Sequence, residues 1–184
     1  ASGAFTPWFV LFHAPWLLLT WSAWKLSVWL STEPPFHQLT SKLWIGRRLS
    51  STEIPAEFEN IIDLTAEFIE PVPSRAFTGY IAFPILDGGI PDAKSLVYLY
   101  HRLESLTGTT YIHCAQGHGR TALVTAGWLL YQGAVSTPEA ALQLVQSVRP
   151  QATVNRGQRA FLDQLGDRLQ KSQSHPQVDR SSVG

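Results

Sequence analysis

The sequence predicts an α/β domain built as a three-layer sandwich, preceded by an extra hydrophobic N-terminal helix. Three observations carry this prediction. Short apolar runs bounded by Pro, Gly and polar residues occupy the stretch from 43 to 86, as strands do. Runs with helical spacing fill 93 to 170. Within that second stretch Thr110-Tyr111-Ile112, a β-type run, leads through a loop with two glycines into the helix-forming run 122–130. A chain of 184 residues is long enough for one domain with a real core. Its net charge is zero, so no basic field argues for nucleic acid. One cysteine excludes an internal disulfide.

Taken in order, residues 5–30 carry Lys25 as their one charge and place apolar side chains all round a helical wheel. Such a helix is buried in protein or in lipid. The run is long enough to span a bilayer, and tryptophans flank it at both ends, as at membrane interfaces. Lys42, Arg47 and Arg48 follow it, so the positive-inside bias places the next domain facing the cytoplasm. Pro15 and Lys25 are uncomfortable at mid-depth, and the alternative is a helical arm covering the domain or a neighbour. Residues 1–36 are therefore read as a membrane segment or packing arm, with membrane association favoured. Glu33-Pro34-Pro35 ends the helix and opens a linker.

The main domain is expected over 37–172. Leu43-Trp44-Ile45-Gly46 reads as a first strand and Ile61-Ile62-Asp63-Leu64 as a central one. Pro71, Pro73 and Ser74 mark a loop. Tyr80 to Leu86 is a third strand, where Pro84 requires a bulge or an edge position. A helix over 93–107 puts Leu96, Leu99, Leu103 and Leu106 on one face and stops at Gly108. The helix after the glycine loop runs to about Gly133. Thr137 caps the next, with Pro138 at its first position, Ala141, Leu144, Val145 and Val148 inside, and Arg149-Pro150 at its end. A last helix covers roughly 155–170 and buries Phe161, Leu162, Leu165 and Leu169. The polar stretch from Lys171, with 173–184 as a tail, is expected to be disordered.

The chemistry concentrates in His113-Cys114-Ala115-Gln116-Gly117-His118-Gly119-Arg120-Thr121. A strand, a tight loop and a helix N-terminus in succession point backbone N–H groups and the positive helix end at one spot, which suits an anion. Cys114 opens the loop, where the helix end and an arginine favour the reactive thiolate. Arg120 closes it with a planar fork that grips two oxygens of a phosphate. Thr121 is placed to donate its hydroxyl to the sulfur.

His-Cys-x5-Arg-Thr resembles the signature of the protein tyrosine and dual-specificity phosphatases. Leu43-Trp44-Ile45-Gly46 is similar to the opening strand of dual-specificity domains, and the resemblance covers about residues 40–170. It implies that Cys114 attacks phosphorus to form a phosphocysteine. It implies that Arg120 and the amides of Ala115, Gln116, Gly117, His118, Gly119 and Arg120 hold the equatorial oxygens. It implies that His113 hydrogen-bonds backbone and orients Cys114.

Such a reaction also needs an acid for the leaving oxygen. Asp87 ends the third strand beside two glycines, 27 positions before the cysteine (114 − 87), and is preferred over Asp92, which is better placed to cap the helix from 93. The family's Trp-Pro-Asp form of the acid loop is absent. His118 is read as a pocket-rim charge or a solvent-facing spacer. Gln158 resembles a glutamine that places water in some relatives, against a plain reading as an exposed helix residue. Glu67 follows the central strand, where it can pair with Arg120.

The six histidines show no metal-ligand spacing, so neither metal nor cofactor is expected. The expectation is a cysteine-dependent phosphatase acting on phosphotyrosine, phosphoserine or phosphothreonine proteins. The alternative is a single-phosphate phospholipid at a membrane. Ala115 and His118 stand where inositol-lipid phosphatases carry lysines, which argues against highly phosphorylated lipids. A pseudophosphatase that binds phosphoproteins would have lost the cysteine, arginine or aspartate, and all three are here.

Overall fold

The computed structural model describes residues 7–68, 70 and 76–174. The expected loop at 71–74 and the tail from 175 onward lie outside the described residues. The elements are α1 (Pro7–Leu30), β1 (Phe36–Gln38), β2 (Leu43–Arg47), β3 (Asn60–Thr65), β4 (Gly79–Ile85), α2 (Ala93–Glu104), β5 (Thr110–Cys114), α3 (Gly119–Tyr131), α4 (Pro138–Val148) and α5 (Arg156–Ser174). The sheet runs β1-β2-β5-β3-β4. β1 pairs antiparallel with β2 and the other pairs are parallel, so the strand that ends in Cys114 lies at the centre.

Side-chain alternation divides the two faces. Ile112 and Cys114 on β5, Ile62 and Leu64 on β3, and Leu43 and Ile45 on β2 face the helices and form the main core. α3 is buried from Arg120 to Leu130, because α4 and α5 pack against it from outside. On the other face Leu49, Phe58 and Tyr111 form a second cluster with Phe36, Trp44, Ile54 and Phe77. Phe58 stacks on Tyr111 at 4.8 Å. The third layer is thus made by connecting segments carrying aromatic rings.

Most expected elements stand where the residues place them. Thr137 caps α4 by accepting from Ala140 N, with Pro138 in the first turn. β4 is the edge strand, and its register against β3 shifts from Asp63↔Ala82 to Thr65↔Ile85, so the extra residue falls around Pro84. α2 ends at Glu104, three residues short, because Ser105 N turns back to Arg102 O and Gly108 adopts φ +80° only after an intervening turn. α5 continues to Ser174, so Lys171–Ser174 are helical where a tail was expected. β1 lies where a linker was expected; three residues carry no periodicity to read. The boundary expected at 36/37 therefore falls inside β1.

α1 is a helix, with Pro15 inside it. No helix among the described residues is long and apolar enough to cross a membrane, which corrects the spanning reading. The physical reason is composition: five tryptophans together with His13, Thr20, Ser22, Lys25 and Ser27 keep the mean hydropathy low. The positive-inside argument for a cytoplasmic-facing domain loses its basis with the span. Instead Trp24 is buried against the domain, 5.8 Å from Phe68 and 5.2 Å from the Arg48 guanidinium. Trp8, Phe12, Trp16 and Trp29 stay exposed.

Candidate active site

Residues 114–120 join the C-terminal end of β5 to the N-terminus of α3, at the sheet edge where open α/β folds place ligands. The loop is held from outside by its carbonyls. Ala115 O accepts from Arg48 N and Trp24 Nε1, Gln116 O and Gly117 O from Arg149, and His118 O from Ala122 N. A trans peptide points its N–H opposite its C=O. Four carbonyls turned outward therefore turn the N–H groups of 116, 117, 118 and 119 toward the loop's interior. Gly117 makes the close turn: its φ is +74°, and a Cβ there would stand 2.2 Å from the Gly46 carbonyl carbon on β2.

Cys114 is buried at the loop's start. Arg120 is buried too, and its fork is fully engaged at the outer edge. Nη1 donates to Glu67 Oε2 at 2.7 Å and to Ile85 O at 3.0 Å; Nη2 donates to Glu67 Oε1 at 2.7 Å and lies 3.2 Å from Asp87 Oδ1. Its Nε is buried and has no partner. An unpaired buried donor costs free energy unless something accepts from it. The place for an acceptor is an anion in the loop. Burial pulls the Arg120 guanidinium down, but Glu67 and the charges of Cys114 and Asp87 outweigh it and keep the cation firmly charged. Burial pushes the Glu67 carboxyl up, and the Arg120 bonds more than reverse this, so it sits below the usual carboxylate range.

Asp87 and Asp92 separate clearly. Asp92 caps α2, accepting from Ser95 N and Oγ at 2.9 Å. Asp87 is exposed and borders the cleft over Cys114. Gly88, at φ +67°, and Gly89 are both held by the start of α5. Asn155 Nδ2 donates to Gly88 O at 2.9 Å and Gln158 Nε2 to Gly89 O at 3.0 Å. Gln158 is buried, which overturns the plain reading of it as an exposed helix residue. It ties the loop that follows Asp87 to the neighbourhood of Gly119.

Three expectations need correction. His113 makes no backbone hydrogen bond; its Nδ1 is buried without a partner and its Nε2 lies 3.7 Å from Glu70 Oε1. It points to the sheet face opposite the cleft, stacked on Tyr111. Thr121 Oγ1 is buried and has no hydrogen-bond partner, so it does not donate to the sulfur. His118 lines the cleft, as the rim reading has it, but it is no solvent-facing spacer: its Nε2 meets Glu33 Oε2 at 2.8 Å.

Glu33 and Arg149 are the residues that sequence reasoning missed. Arg149 is buried at the end of α4, holds the loop carbonyls, donates to Pro34 O at 3.0 Å and pairs with Glu33 at 2.7 Å. A lone Arg before a Pro signals only a helix end, and nothing local marks its reach across more than a hundred positions. Asp63, Glu70 and His113 are a buried trio whose ligand atoms lie within 4.8 Å of one another. Asp63 already accepts from Thr65 N, Thr65 Oγ1 and Tyr80 OH, and Glu70 from Arg48 Nε. A metal there would have to displace these bonds. Burial, reinforced by Asp63, raises the Glu70 carboxyl against the pull of His113 and Arg48.

The cleft has a volume of about 770 Å³. Its floor is Cys114 to Gln116 with His118 to Arg120, one side is Glu67, Phe68, Leu86 and Asp87, and the other is α1, from Trp16 to Ser27. A cysteine loop with an arginine at its sixth following position, at the edge of this sheet, resembles the site of the dual-specificity and tyrosine phosphatases.

Comparison with known proteins agrees. The family model described as Cyclin-dependent kinase inhibitor 3 matches residues 76–142. Phosphatidylglycerophosphate phosphatase PTPMT2 of Arabidopsis thaliana is 30% identical over 118 residues, 60% of this chain and 51% of that protein. Cyclin-dependent kinase inhibitor 3 of Homo sapiens is 33% identical over 90 residues, 47% of this chain and 42% of that protein. The chain thus spans about half the length of these curated relatives. The crystal structure of Tk-PTP in the active form superposes with a TM-score of 0.67 at 23% identity, covering 73% of this chain and 98% of that one. The chain is thus similar in sequence to these phosphatases over part of its length and shares the fold of Tk-PTP.

Proposed function

We propose that the protein hydrolyses phosphate monoesters in two steps through Cys114. The phosphoryl oxygens lie against the inward N–H groups of 116–119 and the free Nε of Arg120. The Cys114 thiolate forms an S–P bond as the P–O bond to the leaving group breaks, and Asp87 gives its proton to the departing oxygen. Water then attacks phosphorus, the Asp87 carboxylate takes the water's proton, and the P–S bond breaks. Phosphate leaves and the thiolate is restored. The observation that carries this reading is the buried, unpartnered Arg120 Nε beside the cysteine.

The test is turnover of para-nitrophenyl phosphate. The parent chain releases phosphate, whereas Cys114→Ser binds vanadate and turns over nothing. Substantial activity in that variant removes the phosphocysteine step.

For the substrate, phosphorylated protein side chains are the first reading. The relatives' printed names favour a second, a phospholipid with one phosphate: one of them is a phosphatidylglycerophosphate phosphatase. Membrane association is part of that second reading. The exposed Trp8, Phe12 and Trp29 of α1 would lie at the bilayer interface without crossing it. Co-sedimentation with phospholipid vesicles tests it, and a chain that stays in the supernatant at all lipid concentrations ends it.

A further inference from the structure

We infer that α1 is the leaving-group wall of the active site, and that the cleft takes phosphate monoesters whose leaving oxygen carries an alkyl chain lying along it. This rests on the phosphatase reading. Trp16, Thr20, Ala23, Trp24 and Ser27 follow one another at helical spacing, so they form one stripe on α1, and all border the cleft above Cys114 and Arg120. At a rise of about 1.5 Å per residue the stripe is about 16 Å long.

Its inner end is clamped to the phosphate loop. Trp24 Nε1 donates to Ala115 O at 2.9 Å, and Gln116 Nε2 donates to Ser27 Oγ. Beyond the helix, Glu33 meets both His118 and Arg149. Three of the loop's residues are thus held by the chain's N-terminal part. A wall fixed this way keeps one distance and direction from the reacting phosphorus, which orientation-dependent catalysis requires.

The stripe changes character along its length. Ser27 lies beside the loop, and Trp16 with its neighbour Leu17 lies at the outer end. Thr20 Oγ1 donates to Trp16 O at 2.9 Å, so its hydroxyl hydrogen is used within the helix. Lys25, the helix's one cation, lies over the rings of Trp21 and Trp24 at 5.6 and 5.5 Å and does not line the cleft. Phe68 and Leu86 stand on the facing side. Beyond the loop, among the described residues, this channel offers no cation for a second phosphate, and the α1 side offers little that would pair the N–H and C=O groups of a peptide. Such groups pressed against an apolar wall lose their bonds to water. An alkyl chain loses nothing by leaving water and gains contact.

The experiment is a chain-length series on the full chain: ethyl, butyl, hexyl and octyl phosphate below their micelle concentrations, beside para-nitrophenyl phosphate and a phosphotyrosine peptide. The leaving alcohols differ little in acidity, so the slope reports contact with the wall. kcat/KM should rise about two- to fourfold per methylene, and octyl phosphate should outrun the peptide. In the double variant Trp16→Ala with Leu17→Ser the slope should flatten. A flat series in the parent, or preference for the peptide, while para-nitrophenyl phosphate is still hydrolysed, overturns this inference and leaves the phosphatase standing. No turnover of any substrate overturns the phosphatase reading itself.

Discussion

Arg120 donates three hydrogen bonds to Glu67 and Ile85 O, lies 3.2 Å from Asp87, and keeps a buried Nε without a partner, the donor that the proposed phosphate would take. Its planarity matters more than its charge. Arg120→Lys should lower kcat/KM by about 10³-fold or more, because an ammonium cannot keep the Glu67 fork and reach the anion together; steady-state kinetics on para-nitrophenyl phosphate measure it. The two aspartates give a paired test. Asp87→Ala should lower kcat by about 10²–10⁴-fold for poor leaving groups, and remove one limb of the pH–rate profile. Asp92→Ala should leave that limb intact and lower the melting temperature through the lost α2 cap. If the limb disappears with Asp92 instead, the acid is misassigned.

At the scale of elements, the loop is shaped less by its own residues than by what grips it. Arg149, at the end of α4, is buried with Glu33 and carries the carbonyls of Gln116 and Gly117. Arg149→Met should destabilise the fold by about 3–5 kcal/mol, since it takes away the permanent cation beside the buried Glu33 and leaves it His118 alone as side-chain partner. Thermal unfolding reads this, and a companion Glu33→Gln should recover part of the loss. The β2 end offers a pH test. Hydrogen bonding by Arg47, against the opposing effect of burial, brings the Glu53 carboxyl from 4.5 to about 2. A depressed carboxyl stabilises the fold above its unfolded value, and the contribution fades as pH falls from about 4.5 through about 2. Glu53 is 36% exposed, so solvent screening keeps the effect within about 1 kcal/mol. The stability difference between the parent and Glu53→Gln should shrink over that window; a difference independent of pH would contradict the pairing.

For the whole molecule, the N-terminal stretch is a structural part of the site. A severable arm predicts that removing residues 1–35 leaves full activity. The structure predicts the opposite, because Trp24, Ser27, Glu33 and the carbonyls of Pro34 and Pro35 all hold the loop or its neighbours. The truncated chain should melt lower and lose kcat on para-nitrophenyl phosphate by about tenfold or more, through a loop no longer held in its productive geometry. Unchanged melting and kcat would return α1 to the status of an appendage.

The strand–loop–helix around Cys114, the order of strands and helices, and the capping role of Asp92 were legible in the sequence. Each depends on neighbours within a few positions: a strand run, two glycines, a cap three residues from its donor. So were the bulge at Pro84 and the cap at Thr137, for the same reason. The tertiary structure alone decided what those local rules cannot reach. Arg149 and Glu33 are 116 positions apart (149 − 33) and meet through the loop. Trp24 finds Ala115 across 91 positions. His113 turns away from the sulfur because adjacent residues of a strand point to opposite faces, and its partner Glu70 arrives from a connecting segment. Helix α1 is the clearest case. Apolar residues all round a wheel state that a helix must be covered, but not by what; its contacts with the loop decide that one face belongs to the active site.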